Sequence, residues 1–342
     1  MGDTEIMPLN WAVLVGINAY PQNPLHGCVR DVHRIEEYLK TGHTTVNITM
    51  LTASMPDISQ PLPASGGSSM LPTYDNLISR LRTITEHAAI GDCIYIHFSG
   101  HGTRSEATGD FKLVLLDGQT DICYLSGNVL AAILGNMVDK GLHVTLVLDC
   151  CFSGGILRRE DITDRNIRTL AYDQTIEDKT SREHSDDLDT RSKAPLRDVS
   201  IVPQWVMNPD GYTVVTACGP YEVAQELTLQ KTGQKHGVLS YFLVHALIAL
   251  RKCGFNVTNE SLYKYLSLQV HAYWPLQHPM CYGNQNFRFF GNFKPKEDEH
   301  YVQVLRSSDT DKLQLRAGLA HGVCEGDVYV LYPLTSADDP SE

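Results

Sequence analysis

Two glycine-flanked segments hold the residue types able to do covalent chemistry. Residues 96–102 read Ile-His-Phe-Ser-Gly-His-Gly, and residues 148–155 read Leu-Asp-Cys-Cys-Phe-Ser-Gly-Gly. An imidazole can keep a sulfur as thiolate and later protonate a leaving amine, the minimum for acyl transfer through a covalent intermediate. Both segments follow apolar runs and read as strand ends. Alternate residues of a strand share a face, so Ser99 goes with His101 and Asp149 with Cys151. Cys150 alternates away, into a core where cysteines are commonly inert. If both strands end at one edge of a parallel sheet, the four residues meet in the crevice where doubly wound folds bind ligands. Gly100, Gly102, Gly154 and Gly155 then allow sharp turns and close backbone approach. A carboxylate on the nucleophile's own face opposes thiolate formation, so Asp149 needs another task, such as holding a substrate cation.

The elements that must position these groups alternate in type. Segment 11–17 is a short apolar run, read as a buried strand. Residues 28–40 place Val29, Val32, Ile35, Tyr38 and Leu39 at helical spacing. Strands follow at 46–51, 93–99 and 143–148. Helices fall after a Thr73 cap, over 128–138, 238–250 and 258–272, with a fifth strand near 212–217. Alternating strands and helices predict an α/β fold with a mostly parallel central sheet flanked on both faces. Segment 287–293 is expected to close that sheet, and 301–304 and 328–332 alternate like a small β-rich C-terminal segment. Residues 157–199 are charged and poor in apolar side chains, a composition that reads as a flexible linker. The expected division is 1–156, a linker at 157–203, 204–294, and an extension at 295–342.

Hydrophobic residues make up 42% and charged residues 20% of the 342, and no apolar run approaches the ~20 residues of a membrane helix. A membrane partner is not expected. The net charge of −12 disfavours a phosphate backbone, so no nucleic-acid partner is expected either. The first residues lack a basic segment followed by an apolar one, which points to a cytoplasmic location and nine reduced cysteines.

Taken jointly, the Ser-Gly-His-Gly and Asp-x-Cys-x-Ser-Gly loops resemble those of the caspase/metacaspase superfamily, nearer to metacaspases than to animal caspases. His101 and Cys151 lie 50 residues apart, a separation also found in caspases. The resemblance spans about 11–293. It implies a caspase-like three-layer sandwich, a large region followed by a small one, and a cysteine endopeptidase. Cys151 would be the nucleophile, His101 its proton partner, and the backbone N–H groups of Gly102 and Cys151 the oxyanion hole. It also implies an acidic pocket for the residue before the scissile bond, carried here by Cys28, Asp31, Ser99 and Asp149. Such a pocket takes Arg or Lys and rejects Asp, so protein or peptide substrates with a basic residue before the cut are the expected partners. Metacaspases generally work as monomers, which implies the same here.

Relatives often mature by cutting between their halves. The linker offers Arg158, Arg159, Arg165, Arg168, Lys179, Arg182, Arg191, Lys193 and Arg197, though any charged loop contains basic residues. Many metacaspases also carry clustered acidic calcium ligands. Glu106, Asp110, Asp117 and Asp121 are scattered, and Ser126-Gly127-Asn128 stands where an Asp pair belongs, so no metal cofactor and calcium-independent activity are expected. Three rivals remain: a zinc hydrolase using His97 with His101, a silent caspase-fold scaffold, and an asparagine-specific legumain-like peptidase.

Overall fold

An interior strand of the sheet explains the layering. β1 (Asn10–Ile17) is almost wholly buried, with Val13, Val15 and Ile17 in one apolar cluster and Ala12 and Leu14 in the other. A strand apolar on both faces must be covered on both. In this computed structural model, the residues described are 9–41, 45–55, 70–105, 108–118, 121–151, 166–184, 204–207, 209, 211–219, 222–252, 257–285, 287, 289, 304–306, 313–315 and 326.

One face is covered by α1 (Cys28–Lys40) together with two later helices, α6 (Val238–Lys252) and α7 (Asn259–Tyr273). The other is covered by α2 (Tyr74–His87) and α3 (Gly127–Asp139). Each of Val32, Ile35 and Leu39 of α1 is buried, and burying such a side chain fully contributes about 1.5–3 kcal/mol. The Thr73 side chain accepts from Asn76 N at the start of α2, and Thr258 forms a capping box with Ser261 at the start of α7.

The sheet contains six strands in the order β11-β8-β7-β3-β1-β2, where β2 is Val46–Ala53, β3 Cys93–Ser99, β7 His143–Asp149, β8 Thr213–Thr216 and β11 Met280–Gly283. The first five in the chain are parallel, and β11 runs antiparallel along β8. The expected α/β sandwich is therefore the observed one. A side sheet, absent from the sequence reading, joins β4 (Gly102–Arg104), β5 (Phe111–Leu116) and β6 (Ile122–Ser126). The chain also forms α4 (Gln174–Glu183), a single turn α5 (Gln204–Met207), a hairpin of β9 (Glu226–Thr228) with β10 (Lys235–Gly237), and a short hairpin of β12 (Val304–Arg306) with β13 (Leu313–Leu315).

Among the described residues, the strand beside β8 at the sheet's end is Met280–Gly283. Of the expected closing segment 287–293 only Phe287 and Phe289 are described, Phe289 packing edge-on against Tyr95 at 5.1 Å and Phe287 lying over His143 at 4.5 Å; the rest of it lies outside the described residues. One expectation is corrected: 157–199 is not uniformly linker-like, because residues 166–184 have defined structure, with Ile167, Thr169 and Leu170 buried and α4 following. The composition argument treated every charge there as solvated, whereas Arg168 is fully buried among carboxylates. Residues 152–165, including Gly154, Gly155 and three of the linker arginines, and segment 328–332 lie outside the described residues.

Candidate active site

Register brings the two chemical segments together. β3 and β7 pair in parallel with Ser99 opposite Asp149, so His101 and Cys151 each lie two residues beyond that pair at the same sheet edge. Cys150 belongs to one core cluster and Cys151 to the other, as strand alternation requires. Gly102 then starts β4 against the Cys151 carbonyl, where an added Cβ would collide with that oxygen. Across the crevice, α1 presents Cys28 and Asp31, and Ser99 Oγ donates to Asp31 Oδ2 at 3.0 Å. All seven residues singled out in the sequence thus line one site.

The site is filled by the chain itself. Residues 166–170 run extended across it, antiparallel to 224–226 on one side and parallel to Gly102 on the other. Arg168 N donates to Ala224 O at 2.9 Å, Glu226 N to Asn166 O at 2.7 Å, and Leu170 N to Gly102 O at 3.3 Å. The Arg168 carbonyl accepts from Gly102 N at 3.2 Å and from Cys151 N at 3.1 Å. Two backbone donors converging on one carbonyl oxygen are what an oxyanion hole requires.

The Arg168 guanidinium occupies the acidic pocket. Its Nη1 donates to Ser99 Oγ at 2.7 Å and to the Asp149 carbonyl at 3.1 Å, and lies 3.3 Å from Asp149 Oδ2. Its Nη2 reaches Asp31 Oδ2 at 2.8 Å and Glu226 Oε1 at 3.4 Å. Gly237 leaves the space this needs, since a Cβ there would overlap both Asp149 Oδ2 and Arg168 Nη1. Burial alone would make the guanidinium easier to deprotonate, but the charges around it, Asp149 foremost, outweigh that and hold it more basic than usual. For Asp31 burial favours the neutral acid, yet Arg168 and His236, whose Nδ1 is 3.0 Å away, leave it below the ordinary carboxylate range. Burial, reinforced by the Asp31 charge, raises Asp149 against the pull of Arg168 and Ser240.

Asp149 is held from behind. Ser240 donates to Asp149 Oδ2 through its N at 2.8 Å and its Oγ at 2.6 Å, His97 Nε2 is 2.9 Å from Ser240 Oγ, and Tyr95 Oη is 2.8 Å from His97 Nδ1. Burial lowers His97 to about 4, so this ring is neutral and can accept from Tyr95 while donating to Ser240. Both its nitrogens are occupied, which leaves no lone pair for a zinc ion. Among the described residues, no group of three or more His, Cys, Asp or Glu is arranged to hold a metal.

His101 and Cys151 both border the Arg168 backbone, but they are not hydrogen-bonded to each other. The Cys151 Sγ accepts from Ala224 N at 3.1 Å, and His101 Nε2 is 2.7 Å from the Asn23 carbonyl, leaving Nδ1 buried without a partner. Burial pushes the Cys151 thiol up to about 12 and the His101 imidazole down to about 4. With the segment in place, the pair is a neutral thiol beside a neutral ring. Cys28 is buried beneath the pocket, where burial raises its thiol out of reach of ionisation.

The region expected to lack calcium ligands is occupied by lysines. Lys112 Nζ lies 3.0 Å from Asp110 Oδ2 and 2.9 Å from Glu177 Oε1 of α4, and Asp110 also accepts from Ser126 Oγ and Asn128 Nδ2. Asp117 pairs with Lys179 at 3.1 Å. Asp110 and Asp117 are thus each paired with an ammonium group. Glu106 lies outside the described residues.

Sequence reasoning missed Glu226, His236, Gly237 and Ser240, and gave Arg168 no distinction among the linker cations. Glu226 sits between Gln225 and Leu227 in a short strand-like run, and nothing local separates it from a solvated strand residue. Only the pairing of the β9–β10 hairpin beside α1 brings it to the pocket.

Comparisons with known proteins bear on the family and the fold. The family model described as "Metacaspase, peptidase C14 domain" matches residues 10–160. Metacaspase-3 of Trypanosoma cruzi is 30% identical over 153 residues, covering 43% of this chain and 40% of that protein. Metacaspase-4 of Arabidopsis thaliana is 33% identical over 184 residues, covering 50% and 40% respectively. Metacaspase III c of Phaeodactylum tricornutum is 29% identical over 182 residues, covering 49% of this chain and 50% of that protein. The aligned region thus spans half or less of these relatives. A crystal structure of a protein from Geobacter sulfurreducens aligns over 81% of this chain and 94% of its own, with a TM-score of 0.53 at 19% identity, a likeness of fold. Residues 10–160 are thus similar to the metacaspase peptidase C14 domain. Among the described residues, no helix is long and apolar enough to cross a membrane.

Proposed function

We propose that this chain is a cysteine endopeptidase that cuts after a basic residue, and that its own Arg168–Thr169 bond is its first substrate. One observation carries the reading: the Arg168 carbonyl is held between the N–H groups of Gly102 and Cys151 while its side chain fills an acidic pocket. A random linker contact would satisfy one of these conditions, not both.

The chemistry follows from the donors on hand. His101 Nε2–H donates to the Asn23 carbonyl, so Nδ1 carries the lone pair and takes the Cys151 proton. The sulfur forms a bond to the Arg168 carbonyl carbon, and the negative oxygen is stabilised by Gly102 and Cys151 N–H. Such donors are worth on the order of 10²–10³ in rate. Collapse breaks the bond to Thr169 nitrogen, which receives the proton from His101. Water, deprotonated by His101, then splits the thioester and returns the thiol, leaving a carboxylate on Arg168. Because burial keeps the thiol and imidazole neutral in the filled site, cutting is gated by their approach to each other. No metal takes part in any of these steps. The enzyme acts in the cytoplasm as a monomer and turns over without calcium.

The test is mass spectrometry of the purified chain after incubation, with and without a calcium chelator, beside Cys151→Ala. Fragments ending at Arg168 and starting at Thr169, chelator-insensitive and absent from Cys151→Ala, are expected. Cutting that survives Cys151→Ala refutes the cysteine mechanism, and an uncut chain that also leaves Arg peptides intact favours the silent scaffold.

A further inference from the structure

We propose that Glu226 makes this pocket select arginine over lysine. The inference rests on the peptidase reading above and concerns a residue outside the two chemical segments. Three carboxylates, those of Asp31, Asp149 and Glu226, surround the Arg168 side chain, and each is fully buried on its ion-pair contact. They do not converge on a point. Nη1 faces Asp149 and Ser99, and Nη2 faces Asp31 and Glu226. A guanidinium spans that separation because its donors are fixed in a planar fork, whereas a lysine offers one compact ammonium.

A lysine that settles near Asp149 or Asp31 leaves Glu226 without its cation in a site closed to water. Sites that leave a buried charged or polar group unpaired by the wrong substrate discriminate strongly, because that group has already lost its hydration. Glu226 cannot turn away to solvent. Its carboxylate is fixed by Gly27 N at 2.7 Å and by His26 N at 3.2 Å, so its charge stays aimed at Nη2. Those two backbone donors also define the conservative variant: a glutamine can still accept from Gly27 while losing the charge.

The shape of the pocket agrees with the electrostatics. Gly237 is stripped of a side chain where Nη1 lies, room that the narrower lysine head does not need. The β9–β10 hairpin thus contributes charge from Glu226 at Nη2 and space from Gly237 beside Nη1.

The experiment measures kcat/KM of the full chain on two peptide amides, Asn-Ile-Arg and Asn-Ile-Lys linked to a fluorogenic amine, in the wild type, Glu226→Gln and Glu226→Asp. The wild type is expected to favour Arg by on the order of 10², and Glu226→Gln to lower that ratio at least about tenfold by weakening Arg turnover. Glu226→Asp, which keeps the charge, is expected to recover part of it. If Glu226→Gln leaves the site filled, self-cutting of Arg168 and of Arg168→Lys chains reads the same ratio in cis. An unchanged ratio, or equal losses on both peptides as a purely structural role would give, overturns the proposal. Failure of the wild type to cut either peptide or itself refutes instead the peptidase reading on which it stands.

Discussion

Removing the Arg168 side chain tests the pocket by thermodynamics, independently of turnover. In a Cys151→Ala background, which prevents cutting, Arg168→Ala leaves Asp31, Asp149 and Glu226 around an empty cavity. The arginine makes contacts of 2.8, 3.3 and 3.4 Å to these carboxylates, all with no exposed side-chain surface. Breaking a buried pair from one side typically costs about 3–5 kcal/mol. Protonation of one carboxylate and entry of water relieve part of that, so about 3 kcal/mol is expected near neutral pH. At 2–4 °C per kcal/mol for a chain of this kind, Tm falls by roughly 6–12 °C. The pH dependence has a definite sign. With Arg168 present, Asp31 is depressed and contributes stability above its ordinary carboxylate pKa, lost as pH falls. Asp149 is raised even with the arginine in place, and without it rises further, so the variant gains stability as pH falls and loses it as pH climbs through that raised value. Both effects make the gap between parent and variant widen from acid to neutral. Calorimetry at about pH 5 and about pH 8 should find the larger Tm difference at the higher pH. A difference that is absent, or the same at both, refutes the account of the pocket as a buried ion cluster.

Other substitutions probe separate parts. Gly237→Ala intrudes on the guanidinium site and should lower kcat/KM on Arg peptides by on the order of 10², with the circular dichroism spectrum unchanged. Ser240→Ala removes a hydroxyl donor to Asp149 and breaks its link to His97; KM for Arg peptides should rise several-fold, the loss of about one charge-assisted hydrogen bond. Lys112→Met takes away the ammonium that joins Asp110 to Glu177, and amide exchange across 174–183 should quicken by about tenfold or more, read by mass spectrometry. Burial opposes the charge on Lys112, but Asp110 and Glu177 outweigh it and raise its pKa, so this latch should hold throughout the neutral range.

The sheet and the pocket floor were legible in the sequence for one reason: local periodicity fixes which side chains share a face. The parity that groups Ser99 with His101 and Asp149 with Cys151 needs only the alternation of two strands, and the observed register of β3 with β7 supplies the rest. Cys28 and Asp31 were reachable through the family resemblance. Glu226, His236 and Ser240 were not, because they arrive from a hairpin and a helix start about 200 residues from α1, and nothing in a charged strand residue says which cavity it will face. The linker reading went astray at Arg168. Composition counts an arginine as a solvated charge, and only three partners from distant elements turn it into a buried one.

The pairing of β7 with β8 has a consequence for the fate of a processed molecule. Thr145–Leu148 lies upstream of Arg168 and its partner run Thr213–Thr216 downstream, yet the two strands are adjacent within one sheet. A backbone nick between them therefore severs connectivity without severing the particle. The product should elute from a sizing column as a single species of unaltered radius, while a denaturing gel resolves two bands, and maturation would be invisible to any method that reads only hydrodynamic size.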